Sequence, residues 1–143
     1  MRRFRWSKSN DVFLPEIDGE HQEIYRDVDE LQKALASHAP LFQIHKILHR
    51  LIACTEDHFA HEERLMSDRH YESFAWHKQQ HDTARLRMKQ YAPRIEEGDA
   101  EAGRSLVEFL CKWLRDHTSL TDRMMGAFLR NQQREGSTRA SNS

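Results

Sequence analysis

Seven residues in this chain have the types and spacing of a metal site: His21, His58, Glu62, His77, His81, His117 and Asp122. His58-x3-Glu62 and His77-x3-His81 each set two donors four residues apart. On a helix that is one turn, so both members of a pair leave the same face. His21 and the His117-x4-Asp122 pair lie on other segments. Five imidazoles and two carboxylates are a suitable donor set for two first-row transition-metal ions. They are a poor choice for an apolar core, where an unpaired buried carboxylate costs on the order of 2–7 kcal/mol and more when charged. Donor type alone leaves iron, zinc and manganese open.

Helices must bring these residues together, and the sequence marks four. The breakers are few, with five glycines and three prolines. Pro15 precedes the first predicted helix, Pro40 separates the first from the second, and Pro93 and Gly98 separate the third from the fourth. The predicted helices cover about Asp18 to Ser37, Leu41 to Asp68, Tyr71 to Tyr91, and Asp99 to Asn131, with Asp18 as the first N-cap. Apolar residues step by three and four along each: Ile17, Ile24, Val28, Leu31 and Leu35; Ile44, Leu48, Leu51 and Leu65; Phe74, Ala84, Met88 and Tyr91; Leu106, Leu110, Trp113, Leu120 and Met124. All the donors except Asp122 fall on these stripes. Short connections make neighbouring helices antiparallel, which defines an all-α, up-down-up-down four-helix bundle behind an N-terminal loop. In that topology the start of the first helix, the end of the second, the start of the third and the end of the fourth share one level. The seven donors occupy those places. Asp122 is the geometric exception, because five residues after His117 is about 140° round an ideal helix. Its carboxylate must reach back, or the helix must be distorted there.

The totals fit a single bundle domain over residues 1–131, followed by a Ser-, Arg- and Gln-rich tail over 132–143 that composition predicts to be disordered. The chain has 143 residues, 31% of them charged and 38% hydrophobic, with a net charge of −1. That balance offers no electrostatic footprint for nucleic acid and no polybasic membrane anchor. The basic start, Met1 to Trp6, is not followed by an apolar run, so neither a secretory signal nor membrane insertion is expected, and the predicted location is the cytoplasm. Cys54 and Cys111 fall in apolar helical stretches and read as small packing residues. Ten histidines form the main compositional excess. The other five carry weaker signals: His45 and His49 form a one-turn pair beside the stripe, His61 points away from it, and His38 and His70 fall in loops.

This pattern resembles the hemerythrin family, and within it the single-domain bacterial members. The matching pieces are Ile17-Asp18-x-x-His21, His58-Phe59-x-x-Glu62-Glu63, His77-x3-His81, Trp113-Leu114-x-x-His117-x4-Asp122 and an N-terminal tryptophan, Trp6. Together they span about residues 6 to 130. The resemblance implies a non-haem centre of two iron ions with an oxo or hydroxo bridge, which binds O2 reversibly. His77, His81 and His117 would hold one iron, His21 and His58 the other, and Glu62 and Asp122 would bridge both. One iron then has six ligands and the other five, which leaves the open position on the second. Ile24, Phe59, Trp113 and Leu114 resemble the family's apolar pocket lining. Thr118 departs from the aliphatic residue usual after the fourth-helix histidine, so a hydroxyl is expected near the open position and Thr118→Ile is expected to change the decay of the oxygenated form. Glu20 stands where glutamine is common and is expected to act only at the surface.

The function expected from these residues is O2 binding for storage, delivery or sensing. NO is a further ligand the site would accept. Two alternatives stand beside it: a di-iron enzyme acting as peroxidase, oxidase or nitric-oxide handler, and an iron-homeostasis protein.

Overall fold

Helix periodicity translates directly into the architecture. The computed structural model describes residues 4–7 and 10–141, and among them there is no strand. Helix α1 spans Pro15–Ala36, α2 Leu41–Asp68, α3 Phe74–Glu96 and α4 Ala100–Asp116; a π-helical turn, His117–Thr121, then leads into α5, Asp122–Ser141. Four antiparallel helical rods result, the last built from α4, the π-turn and α5. Each rod packs on its neighbours in the chain, and α1 closes the ring against α4.

Local chemistry sets the ends. Pro15 occupies the first turn of α1, where a missing N–H costs nothing. Asp18 is therefore not the N-cap that its position suggested. It lies buried inside the first turn, and its carboxylate accepts the backbone N–H groups of Val12 at 2.8 Å and Leu14 at 3.2 Å, fastening the N-terminal arm. Asp99 does cap α4, accepting from the Ala102 N–H at 3.1 Å. The first three helices end in the same motif, with His38, His70 and Gly98 at positive φ. The following N–H groups of Ala39, Tyr71 and Asp99 bond back to the carbonyls of Ala34, Met66 and Arg94. Two of the surplus histidines are thus helix terminators. Two more, His45 and His49, bond to the backbone carbonyl and side chain of Glu96 at 2.8 and 3.1 Å.

Two sequence expectations need correction. Pro93 lies inside α3 rather than after it, because α3 runs on to Glu96 and stops only at Gly98. A proline so close to the end removes one N–H but leaves the last turn intact. The backbone of α5 is helical as far as Ser141. The fourth stripe also shifts phase. Leu120 and Met124 are 60% and 45% exposed, whereas Thr121, Met125 and Leu129 are buried. One extra residue in the π-turn moves every later core position on by one.

The main apolar cluster fills the bundle from Phe4 and Ile24 down to Ile95 and Ala102. A smaller one joins Val12, Ile17, Met66, Met125 and Leu129. Ile17, Met66 and Met125 lie about one turn beyond His21, Glu62 and Asp122 on their own helices, Leu129 lies about two turns beyond, and Val12 comes from the arm, so the donor layer is enclosed between two apolar layers. The arm's closeness to α5 depends on Gly126, where an added Cβ would meet the Val12 carbonyl oxygen at 2.9 Å and the Val12 Cβ at 3.1 Å. Gly126→Ala is expected to lower stability by about 1–3 kcal/mol in urea unfolding, since backbone must move. Gly103→Ala is the contrast. Its Cβ meets only the Leu35 side-chain tip at 2.8 Å. That tip can turn aside, and the gain of about 1 kcal/mol in helix propensity offsets the adjustment.

Candidate metal centre

All seven donors come together in one layer, and none is more than 3% exposed. α1 supplies His21, α2 His58 and Glu62, α3 His77 and His81, the π-turn His117 and α5 Asp122. The π-turn resolves the misfit of Asp122. The Asp122 N–H donates to the His117 carbonyl, five residues back, so one turn spans the five-residue step and both side chains leave the same face. Thr118 and Ser119 assist by donating their hydroxyls to the carbonyls of Leu114 and Arg115, a back-bonding that competes with regular α register.

The two carboxylates divide the imidazoles into unequal groups. Glu62 Oε2 faces Nε2 of His58 at 3.0 Å and of His21 at 3.3 Å, and Asp122 Oδ2 faces His21 Nε2 at 3.1 Å. The other oxygens face the other three rings. Glu62 Oε1 lies 3.0 Å from His81 Nε2 and 3.5 Å from His77 Nε2, while Asp122 Oδ1 lies 3.0 Å from His77 Nε2 and 3.1 Å from His117 Nε2. One group therefore holds three histidines and the other two, and each carboxylate gives one oxygen to each group.

These atoms fit cations better than they fit one another. Glu62 Oε1, both Asp122 oxygens and the Nε2 atoms of His77, His81 and His117 are buried without a hydrogen-bond partner among the described residues. Adjacent donors about 2.1 Å from an octahedral ion lie about 3.0 Å apart, which is the spacing found here. A cation at each convergence point would satisfy all six of these atoms.

Three of the five outer ring nitrogens have partners that hold their rings in position, and those of His21 and His77 have none among the described residues. His58 Nδ1 lies 2.6 Å from Glu20, His81 Nδ1 2.8 Å from Glu63 and His117 Nδ1 2.8 Å from Gln80. With the proton on Nδ1, each Nε2 lone pair points inward. Arg85 donates to Glu63 at 2.7 Å, and Thr121 donates to Gln80 at 2.7 Å. Burial works against the charge on Glu63, but His81 and Arg85 outweigh it and hold the carboxyl below its usual range. Glu20 is thus not the surface residue that its position suggested. His61 joins it at 2.8 Å, which accounts for the tenth histidine. Spacing could not reveal Glu20, Gln80 or Arg85 in these roles, because their partners lie on other helices.

Charge within the metal-free layer is strongly coupled. Burial alone would lower His21, yet the Asp122 and Glu62 carboxylates push it up to about 10. His77 is likewise raised to about 9 against burial by the same two groups. Burial wins at His117, which falls below its ordinary value. Glu62 and Asp122 are held well below the usual carboxylate range by the surrounding imidazoles, against burial in both cases.

The pocket residues take different places. Phe59 stacks on His81 at 4.1 Å and Trp113 on His117 at 4.2 Å, so both support ligand-type rings. Ile24 and Leu114 are buried in the main core. Thr118 is buried, but its hydroxyl is committed. It donates to the Leu114 carbonyl at 2.6 Å, shares a 2.8 Å bond with the Tyr25 hydroxyl, and lies 3.4 Å from the Asn10 amide nitrogen. A Thr118→Ile exchange therefore acts first on this network and on the arm it anchors. Cys54 and Cys111 are free and half-buried, and burial raises both thiols, Cys111 to about 11.

A two-part cluster of buried donors that could hold cations, enclosed at one end of an antiparallel four-helix bundle, defines the class of protein. The family described as hemerythrin HHE cation binding domain matches residues 12–129, and the chain belongs to the hemerythrin family. It is similar to the bacteriohemerythrin of Pseudomonas aeruginosa, 29% identical over 119 residues covering 82% of this chain and 75% of that protein. A bacteriohemerythrin of Methylococcus capsulatus is 30% identical over 112 residues, 78% of this chain and 85% of its own. A myohemerythrin of Theromyzon tessulatum is 24% identical over 119 residues, covering 83% and 88%.

Proposed function

We propose that the two donor groups hold a pair of iron ions and that the protein binds O2 reversibly at the two-histidine half. The unequal division of the imidazoles carries this reading. Three histidines and two carboxylate oxygens nearly fill an octahedral shell in one group, while two histidines and two oxygens leave room in the other. Bound there, two ferrous ions would supply the two electrons that holding O2 requires.

The chain's own residues do the rest. Glu62 and Asp122 hold the two halves at a fixed separation by giving one oxygen to each. Neutral imidazoles and only two carboxylates keep the total charge low, which favours the reduced ions over high-valent chemistry. Ile24, Phe59, Leu114 and the half-buried Trp113 surround the layer with apolar surface that keeps out water and protons. No acid or base outside the donor set is required for O2 to enter and leave. Among the described residues no helix is long and apolar enough to cross a membrane.

Metal analysis combined with optical spectra tests this reading. Two irons per chain and a visible charge-transfer band that develops with O2 and vanishes under vacuum support it. Rapid turnover of a reductant would replace it with the di-iron enzyme, and ready loss of iron to a chelator with the iron-homeostasis reading.

Loading should also release protons. His21 and His77, raised to about 10 and about 9, both carry a proton at pH 7.5 in the metal-free chain. Cations on their Nε2 atoms must expel those protons, so affinity rises with pH until those values are passed. An indicator dye in weak buffer should record about two protons or more per chain as metal is added.

A further inference from the structure

Three outer partners hold ligand-type rings, and they differ in charge. Gln80, on His117, is a neutral amide that also accepts from Thr121. Glu63, on His81, is a carboxylate, but the oxygen that meets the ring also accepts from Arg85 at 2.7 Å, so its charge is shared with a guanidinium. Glu20, on His58, has no arginine or lysine paired with it among the described residues. Its second oxygen is taken by His61 Nδ1 at 2.8 Å, and its bond to His58 is the shortest of the three, at 2.6 Å. His58 belongs to the two-histidine half, the half with the open position.

We infer that Glu20 is a positioning residue that makes the two-histidine half the more electron-rich of the two. Its carboxylate, shared with no guanidinium or ammonium group, fixes His58 with Nε2 inward and strengthens that nitrogen as a donor, and His61 Nδ1, 2.8 and 3.1 Å from its two oxygens, locks the carboxylate in place. This rests on the proposal that the layer holds two metal ions. A carboxylate on the outer nitrogen raises ligand basicity, and partners of this kind change metal affinity 10–100-fold when removed. A stronger donor favours the more positive, oxidised ion. The bias acts through a fixed charge across one hydrogen bond, so a glutamine at residue 20 should keep the geometry and lose the charge. The site lies at a surface depression of about 420 Å³ whose wall also includes Glu16, Glu23, Asp57 and Arg64, so the outer edge of this half meets solvent.

Two measurements on the full chain test the inference. In the first, the metal-free protein is titrated with cobalt(II), whose visible bands report each half without iron chemistry. Wild type should bind two ions. Glu20→Ala should weaken one of the two by roughly 10–100-fold and leave the other unchanged, and His61→Ala should weaken the same one by less. In the second, the reduction potentials of the iron-loaded protein are compared. Glu20→Gln should retain both irons while the ferric-over-ferrous preference of one iron falls roughly tenfold, an upward shift of about 59 mV. Equal affinities in Glu20→Ala and wild type, or equal potentials in Glu20→Gln and wild type, overturn the inference. A wild-type chain that takes up fewer than two cobalt ions overturns the two-metal reading itself, and the inference with it, before any variant is compared.

Discussion

Glu62→Ala is expected to reduce the metal content from two ions per chain to one or fewer. Glu62 gives Oε2 to His21 and His58 and Oε1 to His77 and His81, so one truncation removes a donor from both groups. The two-histidine half is left with His21, His58 and one Asp122 oxygen, three protein donors, and is expected to be vacated. The three-histidine half keeps four donors and should hold its ion more weakly. His45→Ala, far from the layer and bonded to the Glu96 carbonyl, should keep both ions. Metal content after gel filtration, read beside circular dichroism to confirm that the helices remain, checks the outcome. Two ions held by Glu62→Ala as tightly as by wild type would show that this carboxylate does not bridge the halves.

Stripping the metal should lower the melting temperature by on the order of 10–20 °C near neutral pH. A ligand at a thousand times its dissociation constant adds about 4 kcal/mol of stability, and a domain of this length converts each kcal/mol into a few degrees. The gap should widen as the pH is raised. In the metal-free chain His21 and His77, raised to about 10 and about 9, pair with Glu62 and Asp122. Because those values lie above the unfolded histidine value of about 6.5, their contribution is complete below about pH 6.5 and is lost progressively as the pH rises through 9 and 10. Ions in their place have no proton to lose. Calorimetry of loaded and chelator-treated protein between pH 6.5 and 10 should show the metal-free melting temperature falling more steeply. Parallel curves would mean that protons do not stand in for the metal in this layer.

Much of the arrangement could be read from local pattern. The period of three and four marked the helices, and α2 begins and ends at the residues expected, Leu41 and Asp68. Antiparallel connectivity alone puts His21, His58, His77 and His117 at one level. Where reading from the sequence failed, a long-range or cumulative effect was responsible. Leu120 and Met124 looked like core because an ideal helix was extrapolated past His117, and the π-turn breaks that extrapolation. The partners of the Thr118 hydroxyl were not legible, because nothing in its neighbourhood announces Tyr25 or Asn10, which come from α1 and the N-terminal arm. Glu20 looked like surface because its partners His58 and His61 lie on α2.

The sequence by itself determined the donor types, the helical faces that carry them and the end of the bundle where they meet. All three follow from residue chemistry and from a periodicity that is local to each helix. Only the tertiary structure decided which carboxylate oxygen faces which imidazole, how Asp122 turns inward and which outer nitrogens are held, and by what. Those are distances between side chains on different helices, and they depend on how the rods pack and on one added residue in a turn. Spacing along the chain says nothing of the first, and of the second it showed only that Asp122 must reach back or the helix be distorted after His117.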